Sequence, residues 1–449
     1  MTKKVFIKTL GCQMNEYDTE LVRAILTKAD FGFVEDEDKA DIVLLNTCSV
    51  RENAHRKVYG HIHSLKHRRN GNPVMIGILG CMATGLREDL LNNRHLGIDF
   101  IAGPDSYKRL PELIEKCCSK EVEATGRSPV QKPFDVTLSE FETYSDVYPS
   151  REQGINAWIA IMRGCDNFCT FCVVPYTRGR ERSRSPENVL KETRRLVKDR
   201  FKQVTLLGQN VNSYKHEGSD FADLIEVVAN IEGIKRVRFM SPHPKDFPGK
   251  LLDVMADNPK ICKHIHLPLQ AGNDRILNLM NRTYTQAEFL KLVDKFRAKC
   301  PQISLTTDII VGFPSETDTE FEDTVRVMEK VGFDAAFIFK YSQRKGTIAA
   351  RKYPDDVPGE KKTERIVRLN QLQKEISRRK NRALIGSVQE VLIESASTTG
   401  SPGSYYGRSD GNKTVIVAPG DYAVGDLIQA TVTDASPNDL KAEIAQPKE

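Results

Sequence analysis

The segment from residue 162 to residue 172 reads Met162-Arg163-Gly164-Cys165-Asp166-Asn167-Phe168-Cys169-Thr170-Phe171-Cys172. Its cysteines have the spacing Cys-x-x-x-Cys-x-x-Cys, and three thiolates this close together can hold three irons of a four-iron cubane. No fourth cysteine follows at short range, so one iron would stay open to bind and cleave a ligand. The alternative is a structural zinc loop, but zinc prefers four ligands and this segment offers three. The spacing therefore favours a reactive iron–sulfur cluster.

Six apolar segments with strand character, each followed by a helical stretch, begin just before this loop. They are Trp158–Met162, Val204–Leu207, Val237–Met240, Ile265–Leu269, Leu305–Val311 and Ala335–Lys340. Repeated strand–helix units predict an α/β barrel or open barrel, here a partial (βα)6 barrel over residues 151–382. The Cys165 loop follows the first strand, on the face where such barrels carry their chemistry.

Small and polar residues follow the other strands of the predicted barrel. An ordinary turn explains each one alone, but their common location at one face predicts a cofactor site. A glycine there lets a ligand approach the backbone closely. The candidate cofactor-binding residues are Gly208, Gln209, Asn210, Ser241, Gln270 and Gly312.

The N-terminal residues, 1–120, alternate apolar strand-like runs with helical stretches, which predicts an α/β domain with a parallel sheet. Three of the runs end at Cys12, Cys48 and Cys81. The carboxyl ends of parallel strands meet at one edge of a sheet, so we expect these cysteines to lie together and to hold a second, auxiliary cluster. Three unrelated buried cysteines are the alternative. Cys117, Cys118, Cys262 and Cys300 are interpreted as structural or incidental.

The remaining chain is predicted to form a linker and a small barrel. Residues 121–150 lack a clear period and are interpreted as a linker. Residues 384–447 contain short β-type runs separated by Gly, Pro, Ser and Asn, which predicts a small all-β barrel. Residues 359 to about 383 are predicted to form one helix with many basic residues. This basic helix and the barrel suit RNA, with Tyr405 and Tyr406 placed to stack on bases. A stabilising appendage beside a solvated helix is the alternative.

Two basic clusters are candidate RNA-binding residues. The first directly follows the cysteine loop, where alternate arginines on an extended segment would point one way. Pairing of some of them with internal carboxylates such as Glu181 is the alternative to substrate contact. The second lies near the end of the basic helix. The candidates are Arg178, Arg180, Arg182, Arg184, Arg378, Arg379 and Lys380.

The composition is that of an ordinary globular chain. Of 449 residues, 39% are hydrophobic and 28% charged, and no apolar run is long enough to span a bilayer. Lys8 interrupts the apolar start, so we expect no signal peptide, no membrane partner and a cytoplasmic location. Thiols stay reduced there, which favours metal ligands over disulfides for the ten cysteines. The net charge of +5 permits an anionic partner without proving one.

Together these features resemble the bacterial tRNA methylthiotransferases, a family of radical S-adenosylmethionine (SAM) enzymes. The order of a three-cysteine domain, a radical SAM core and a small C-terminal barrel (the TRAM domain) covers essentially the whole chain. Three motifs look like the branch that acts on N6-isopentenyladenosine: Gly11-Cys12-Gln13-Met14-Asn15-Glu16-Tyr17-Asp18, Asn46-Thr47-Cys48-Ser49-Val50-Arg51-Glu52 and Leu206-Leu207-Gly208-Gln209-Asn210-Val211-Asn212-Ser213-Tyr214. Thr19 stands where many members carry Ser.

The resemblance implies an enzyme that adds a methylthio group to C2 of the isopentenylated adenosine next to the anticodon. It implies two 4Fe-4S clusters and SAM, which serves as methyl donor and as radical source. An aromatic C–H has no usable acidity, so acid–base side chains cannot activate it and the cofactors must. The resemblance further implies a tRNA substrate, an electron donor such as flavodoxin or ferredoxin, and a sulfur source. We expect a monomer.

Three alternatives stay open at this point. A sister branch acts on threonylcarbamoyl-adenosine in tRNA and usually has Lys-Val in place of Gln13-Met14. A ribosomal-protein branch takes a peptide substrate and usually has Pro-Lys-Asn after its cysteine. A non-catalytic iron–sulfur RNA-binding regulator is the third, and the open iron and crowded cofactor loops argue against it.

Overall fold

The computed structural model describes residues 2–49, 52–68, 74–120, 132–398 and 402–445. The chain divides into two compact units. The first comprises Met1–Glu152, Met162–Arg184 and Arg344–Arg351, and the second Gln153–Ile161, Ser185–Gln343 and Lys352–Glu449. The division departs from the predicted domain boundary at residue 151, because the cysteine loop belongs to the same unit as the N-terminal sheet.

The first unit is built on a parallel sheet of six described strands. In chain order they are Lys4–Leu10, Gly32–Phe33, Ile42–Thr47, Met75–Gly80, Phe100–Ala102 and Phe134–Asp135. Across the sheet the strands lie in the order second, first, third, fourth, fifth and sixth. The direction of the order therefore reverses between the first and third strands. All pairings are parallel. The predicted N-terminal α/β fold is confirmed, and ligands of such sheets bind at the point of reversal.

Helices cover the sheet of the first unit. Buried apolar residues of the third and fourth strands, among them Val43, Leu45, Ile76 and Ile78, pack with Met82 into one core. This explains why those strands read as continuous apolar runs. The helices are Gln13–Lys28, Glu52–Arg68, Cys81–Gly85, Arg87–Asn92, Leu110–Lys120, Val174–Thr177 and Ile348–Lys352, with 3-10 turns at Glu37–Lys39, Arg94–Leu96 and Tyr107–Arg109.

Part of the predicted linker belongs to the first unit. Phe134–Asp135 is the edge strand of the sheet. The side chain of Tyr144 is fully buried, and its hydroxyl donates to the Pro104 carbonyl at 2.9 Å and accepts from the Tyr107 N–H at 3.0 Å. Side-chain hydrogen bonds hold the chain around Tyr144 in place. Its sequence therefore shows no helical or strand period of apolar residues. The other part of the predicted linker, 121–131, lies outside the described residues, as do residues 50–51 of the second motif and 446–447 of the predicted barrel.

The second unit has a strand at each of the six predicted positions, although the fourth covers His264–His266 in place of Ile265–Leu269. They form two parallel three-stranded sheets, and a parallel bridge between Val237 and Ile261 joins the sheets. The predicted partial (βα)6 barrel is confirmed. The strands are Asn156–Ala160, Gln203–Leu207, Arg236–Phe239, His264–His266, Ser304–Val311 and Ala335–Lys340.

Helices follow the strands of the second unit. Thr285 and Thr317 begin two of them with capping boxes, in which the threonine and a glutamate three residues on satisfy each other's backbone N–H groups. The helices are Pro186–Lys198, Phe221–Ala229, Gly249–Asp257, Asp274–Leu279, Gln286–Lys299, Asp318–Val331 and Gly359–Arg382. No helix in the described part of the chain is long and apolar enough to cross a membrane.

The tail forms a closed five-stranded barrel, as predicted. Its strands are Val388–Ala396, Tyr405–Ser409, Thr414–Val417, Leu427–Ala435 and Asp439–Ile444. Tyr405 packs against the barrel core, with its ring centroid 5.0 Å from that of Tyr422. Tyr405 therefore contributes to the barrel core, and stacking of Tyr405 or Tyr406 on a base stays a prediction.

Two buried arginines of the core strand Arg236–Phe239 bind the backbone of the tail barrel. Arg236 donates to the carbonyl oxygens of Glu390 and Arg408 at 2.8 and 2.5 Å. Arg238 donates to those of Ser409 and Asp410 at 2.7 and 3.0 Å. Their exposed fractions are 1% and 6%. The barrel is thus an integral part of the second unit.

We expect deletion of residues 384–449 to lower the free energy of unfolding of the remaining chain by at least about 3 kcal/mol. The deletion removes these four hydrogen bonds of Arg236 and Arg238, and hydrogen bonds of charged groups contribute roughly 1.5–3 kcal/mol each. Thermal unfolding followed by circular dichroism measures the loss, with Arg378→Ala/Arg379→Ala as a surface control. A truncated chain that melts within about 2 °C of the full chain contradicts this account.

Candidate active site

The three N-terminal cysteines lie at one edge of the sheet. Cys12 follows the strand Lys4–Leu10, Cys48 directly follows Ile42–Thr47, and Cys81 directly follows Met75–Gly80. The strand ends are in register, since Leu10 pairs with Thr47 and Thr47 with Gly80. Cys12 and Cys48 flank the reversal in strand order, and their side chains are hydrogen-bonded. The topology therefore gathers residues that are far apart in the sequence.

Close backbone packing beside these cysteines requires glycine. A Cβ on Gly11 would come within 2.4 Å of the Asn15 side chain and 3.0 Å of the Cys48 Cβ. Gly80 has φ +85° and faces the Asn46 side chain. The Asn15 Nδ2 donates to Asn46 Oδ1 at 3.1 Å, and Asn46 Nδ2 donates to the Asn15 carbonyl at 2.9 Å. This buried amide pair fixes the loops that carry Cys12 and Cys48.

The three thiols differ in their electrostatic surroundings. The hydrogen bond from Cys48, helped by the charge of Arg178, lowers the pKa of Cys12 to about 6 against the opposing effect of burial. Burial raises the pKa of Cys81, and Arg178 opposes that rise. Metal ligands must be deprotonated, so the arginine favours the form that binds iron.

The cysteine loop of residues 164–179 is anchored at its base. The strand Met162–Arg163 pairs antiparallel with Arg182–Ser183. Gly164 has φ +81°, and a Cβ there would lie 1.9 Å from the Arg180 carbonyl oxygen. The Cys165 N–H donates to the Gly179 carbonyl at 3.2 Å. Only glycine permits this closure, which starts the loop in a fixed direction.

The three thiols of the loop are partly shielded from solvent. Cys165 and Cys169 are buried and Cys172 is half-buried. The Cys172 N–H donates to the Cys169 carbonyl at 2.9 Å, and Cys172 Sγ accepts from the Val174 N–H at 3.4 Å. Burial raises the pKa of Cys165 to about 11.

The elements that carry the two sets of cysteines pack against each other. A cubane takes each thiolate on a different iron, so its ligands surround a volume. The helix Cys81–Gly85 packs against the helix Val174–Thr177, which begins two residues after Cys172. Both three-cysteine sites therefore belong to one packed region of the first unit.

The basic run after the loop is largely internal, so its interpretation as an RNA contact is wrong for Arg178, Arg182 and Arg184. All three are buried. Arg182 pairs with Asp105 at 3.1 Å, and Arg184 donates to the Tyr17 hydroxyl at 3.1 Å. The residues do not form one extended segment, because Arg178 ends a helical turn and Gly179 has φ +73°. Arg180 alone is exposed, and it pairs with Asp166.

A buried carboxylate links the two cysteine sites. Asp18 is fully buried on the helix Gln13–Lys28. Its Oδ1 accepts from Arg163 Nη2 at 2.6 Å, and its Oδ2 accepts from Arg178 Nη2 at 2.7 Å. Arg178 Nε reaches Cys81 Sγ at 3.1 Å. Sequence reasoning missed Asp18 and Arg163, although an acid within an otherwise apolar helix face and an arginine two residues before Cys165 were available signals.

The candidate cofactor residues follow the barrel strands of the second unit. Gly208, Gln209 and Asn210 come directly after Gln203–Leu207, and Gly312 directly after Ser304–Val311. The buried Asn210 accepts from the His243 N–H at 3.2 Å.

Three candidate cofactor residues have an unusual backbone. The φ angles of Ser241, Gln270 and Gly312 are +62°, +67° and +69°. Gln270 bridges to the fifth barrel strand, accepting from the Ile310 N–H at 2.9 Å, and its buried Oε1 has no hydrogen-bond partner among the described residues. Left-handed non-glycine residues concentrate at functional sites.

The three candidate RNA-binding residues on the helix Gly359–Arg382 have different surroundings. Arg378 and Arg379 are exposed. Lys380 donates to the Asp334 carboxylate at 2.7 Å and to the Gly332 carbonyl at 3.0 Å. Lys380 therefore stabilises the second unit, and its contact with RNA stays a prediction.

Comparison with known proteins places the chain in a family. The pattern of the Radical SAM superfamily matches residues 159–328, that of Uncharacterized protein family UPF0004 residues 4–103, and that of the TRAM domain residues 382–445. A protein of Bacteroides thetaiotaomicron is 44% identical, with 98% of this chain and 96% of that protein covered. One of Prosthecochloris aestuarii is 44% identical, with both covered completely. Both are named tRNA-2-methylthio-N(6)-dimethylallyladenosine synthase.

Solved structures agree on the fold. The radical S-adenosylmethionine methyltransferase TsrM from Kitasatospora setae, with cobalamin and a [4Fe-4S] cluster bound, is 15% identical. It has a TM-score of 0.59, with 78% of this chain and 74% of that chain covered. The cobalamin-dependent S-adenosylmethionine radical enzyme OxsB has a TM-score of 0.53 at 13% identity, with 83% of this chain and 62% of that chain covered.

Fold and sites define a radical SAM enzyme with a second three-cysteine site and a TRAM barrel. The chain belongs to the family of the tRNA-2-methylthio-N(6)-dimethylallyladenosine synthases. The family predicted from the three sequence motifs is thereby confirmed, as is the prediction that the chain is a tRNA methylthiotransferase enzyme.

Proposed function

We propose that this enzyme adds a methylthio group to C2 of N6-isopentenyladenosine, the dimethylallyl nucleoside of its relatives' name, next to the anticodon of tRNA. The observation that carries the proposal is the presence of two separate three-cysteine sites in one packed unit. One is on the loop at Cys165 and the other at the sheet edge near Cys12. Two sites allow one cluster to serve the radical step and the other to serve the sulfur chemistry.

The residues fit the expected cofactors. Four buried and two half-buried thiols and a buried arginine at Cys81 suit two anionic cluster sites. When bound, two 4Fe-4S clusters and SAM supply the radical and methyl chemistry. The chain's own residues hold the cysteine loops in register, exclude water from buried thiols and orient Cys81.

We assign SAM contacts to the carboxyl ends of the barrel strands. Gly208 and Gly312 let the ligand approach the backbone, and Asn210 and Gln270 offer amides. The unpartnered Gln270 Oε1 and the positive φ of Ser241 and Gln270 support this assignment. The Gly312 N–H donates to the buried Glu316 at 2.6 Å, which fixes that turn.

The RNA contacts are assigned to the exposed cations Arg180, Arg378 and Arg379 and to the tail barrel. Phosphate contacts position a nucleic acid, and contacts to the base specify it. An electron donor such as flavodoxin or ferredoxin and a sulfur source complete the reaction. We infer that the enzyme acts as a monomer in the cytoplasm, where tRNA is available.

Charge reversal at Arg378 and Arg379 is expected to lower the slope of log K against log salt for tRNA by about two. Each lost phosphate contact reduces that slope by about one. Filter binding of one isopentenylated tRNA over a salt series measures it. The matched control reverses Arg194 and Arg195, an adjacent exposed pair on the helix Pro186–Lys198. Equal slopes for the Arg378/Arg379 variant and the parent protein would remove this helix from the RNA surface.

A labelled-methyl assay tests the choice of substrate. Reconstituted protein, reductant, a sulfide source and methyl-labelled SAM are incubated with tRNA carrying isopentenyladenosine, tRNA carrying threonylcarbamoyl-adenosine, or ribosomal protein. The proposal predicts label in the first sample. Label in either of the others assigns the chain to that branch instead.

A further inference from the structure

Arg178 makes a direct contact with one auxiliary-site cysteine. Its Nε lies 3.1 Å from Cys81 Sγ, in position to donate a hydrogen bond to a thiolate. The side chain is only 3% exposed. A guanidinium that is buried against sulfur has lost its hydrating water. It stabilises the fold only where an anion takes the place of that water.

Asp18 holds that guanidinium in one orientation. Its Oδ2 accepts from Arg178 Nη2 at 2.7 Å and from the Tyr107 hydroxyl at 3.3 Å. Its Oδ1 accepts from Arg163 Nη2 at 2.6 Å. Arg163 lies two residues before Cys165, so a single carboxylate braces the arginine at Cys81 and the strand that starts the radical loop.

Among the described residues, three arginines of this buried group lie against two carboxylates, which leaves one positive charge in excess. Arg163, Arg178 and Arg182 face two carboxylates, Asp18 and Asp105. The Nη1 atoms of Arg163 and Arg178 are buried with no hydrogen-bond partner among the described residues. An excess of buried positive charge with spare N–H donors suits the sulfur atoms of an anionic three-thiolate cluster.

The geometry points to Arg178 as the positioning residue of the auxiliary cluster. It orients the Cys81 thiolate and raises the reduction potential of the cluster by donating an N–H to its ligand, while Asp18 keeps the guanidinium in place. Hydrogen bonds to cluster sulfurs and local charge are the levers by which proteins set such potentials. The inference rests on the proposed function only through the presence of a cluster at Cys12, Cys48 and Cys81.

A redox titration of the isolated auxiliary cluster tests the role. The background is the full chain with Cys165, Cys169 and Cys172 replaced by Ala, so that only the auxiliary site holds iron. Iron content and an EPR-monitored titration are measured for this parent, for Arg178→Met and for Arg178→Lys. The control is Arg182→Met, which removes a buried arginine that pairs with Asp105.

Arg178→Met is expected to shift the one-electron equilibrium at least tenfold toward the oxidised cluster, a midpoint lower by about 59 mV. Arg178→Lys keeps the positive charge but loses the planar fork of N–H donors. Its midpoint potential should therefore fall between those of the parent and Arg178→Met. Arg182→Met shifts it less than Arg178→Met. Loss of iron from a folded Arg178→Met chain also supports the role, because Cys81 is then no longer held.

Two results overturn the inference. One is an unchanged midpoint at full iron content in Arg178→Met. The other is failure of both Arg178 variants to fold while Arg182→Met folds, which makes Arg178 purely structural. Absence of iron from the parent variant is a different outcome, because it refutes the auxiliary cluster of the proposed function.

Discussion

Replacement of Cys165, Cys169 and Cys172 by alanine abolishes formation of 5′-deoxyadenosine from SAM and leaves about half of the iron. Anaerobically reconstituted protein should hold about eight irons in two four-iron clusters, and these thiols hold one of the two. The auxiliary site keeps its iron, because its cysteines are fixed by the strand ends of the sheet and by the Asn15–Asn46 pair. Iron analysis and chromatographic detection of 5′-deoxyadenosine with dithionite measure both effects.

The matched control replaces Cys262 and Cys300, which are also buried but lie in the second unit. That variant should keep all its iron and its SAM cleavage. Continued formation of 5′-deoxyadenosine by the triple variant means that the radical cluster has been assigned to the wrong cysteines.

Replacement of Cys12, Cys48 and Cys81 by alanine removes the methylthio product and leaves measurable SAM cleavage. These cysteines are held by the parallel sheet, and the loop of residues 164–179 has its own closure through Gly164 and the pairing of Met162–Arg163 with Arg182–Ser183. The radical site therefore does not depend on the auxiliary thiols for its fold. Mass spectrometry of nucleosides and of 5′-deoxyadenosine separates the two activities.

A weakened but measurable SAM cleavage is expected in this variant, because Arg178 loses its sulfur partner and remains tied through Asp18 to Arg163. Full methylthiolation by the variant contradicts the assignment of an auxiliary cluster. Complete loss of SAM cleavage, with the iron of the radical site retained, would show that the two sites act as one unit.

The sequence predicted the framework because its signals were local. Most strands of the (βα)6 barrel lie in apolar runs, and each cysteine of the auxiliary site comes directly or almost directly after such a run. The parallel arrangement then brings distant cysteines together without any further information. Cysteine spacing on one loop needs no tertiary information at all.

The arginines show where this reasoning fails. A run of basic residues looks the same whether its partners are phosphates or buried carboxylates, and Asp18 and Asp105 lie far from it in the sequence. Arg178, Arg182 and Arg184 are buried in the structure, so their partners are internal and are not phosphates. Lys380 is half-buried, and its partner Asp334 lies 46 residues earlier, just before the strand Ala335–Lys340.

The edge strand of the first sheet was missed for a different reason. Phe134–Asp135 is two residues long, too short to show an alternating pattern. Its place is set by backbone pairing with Phe100–Ala102 and by the Asp135 carboxylate, which accepts from the Ser106 hydroxyl at 2.9 Å. Such contacts are not visible in composition.

The most direct test of the account is mass spectrometry of tRNA nucleosides from a strain that lacks this gene, with and without a plasmid copy. The account predicts that the deletion strain accumulates N6-isopentenyladenosine without its 2-methylthio derivative. The wild-type copy restores that derivative, and copies lacking either cysteine triad do not. An unchanged amount of the 2-methylthio nucleoside in the deletion strain would contradict the central claim.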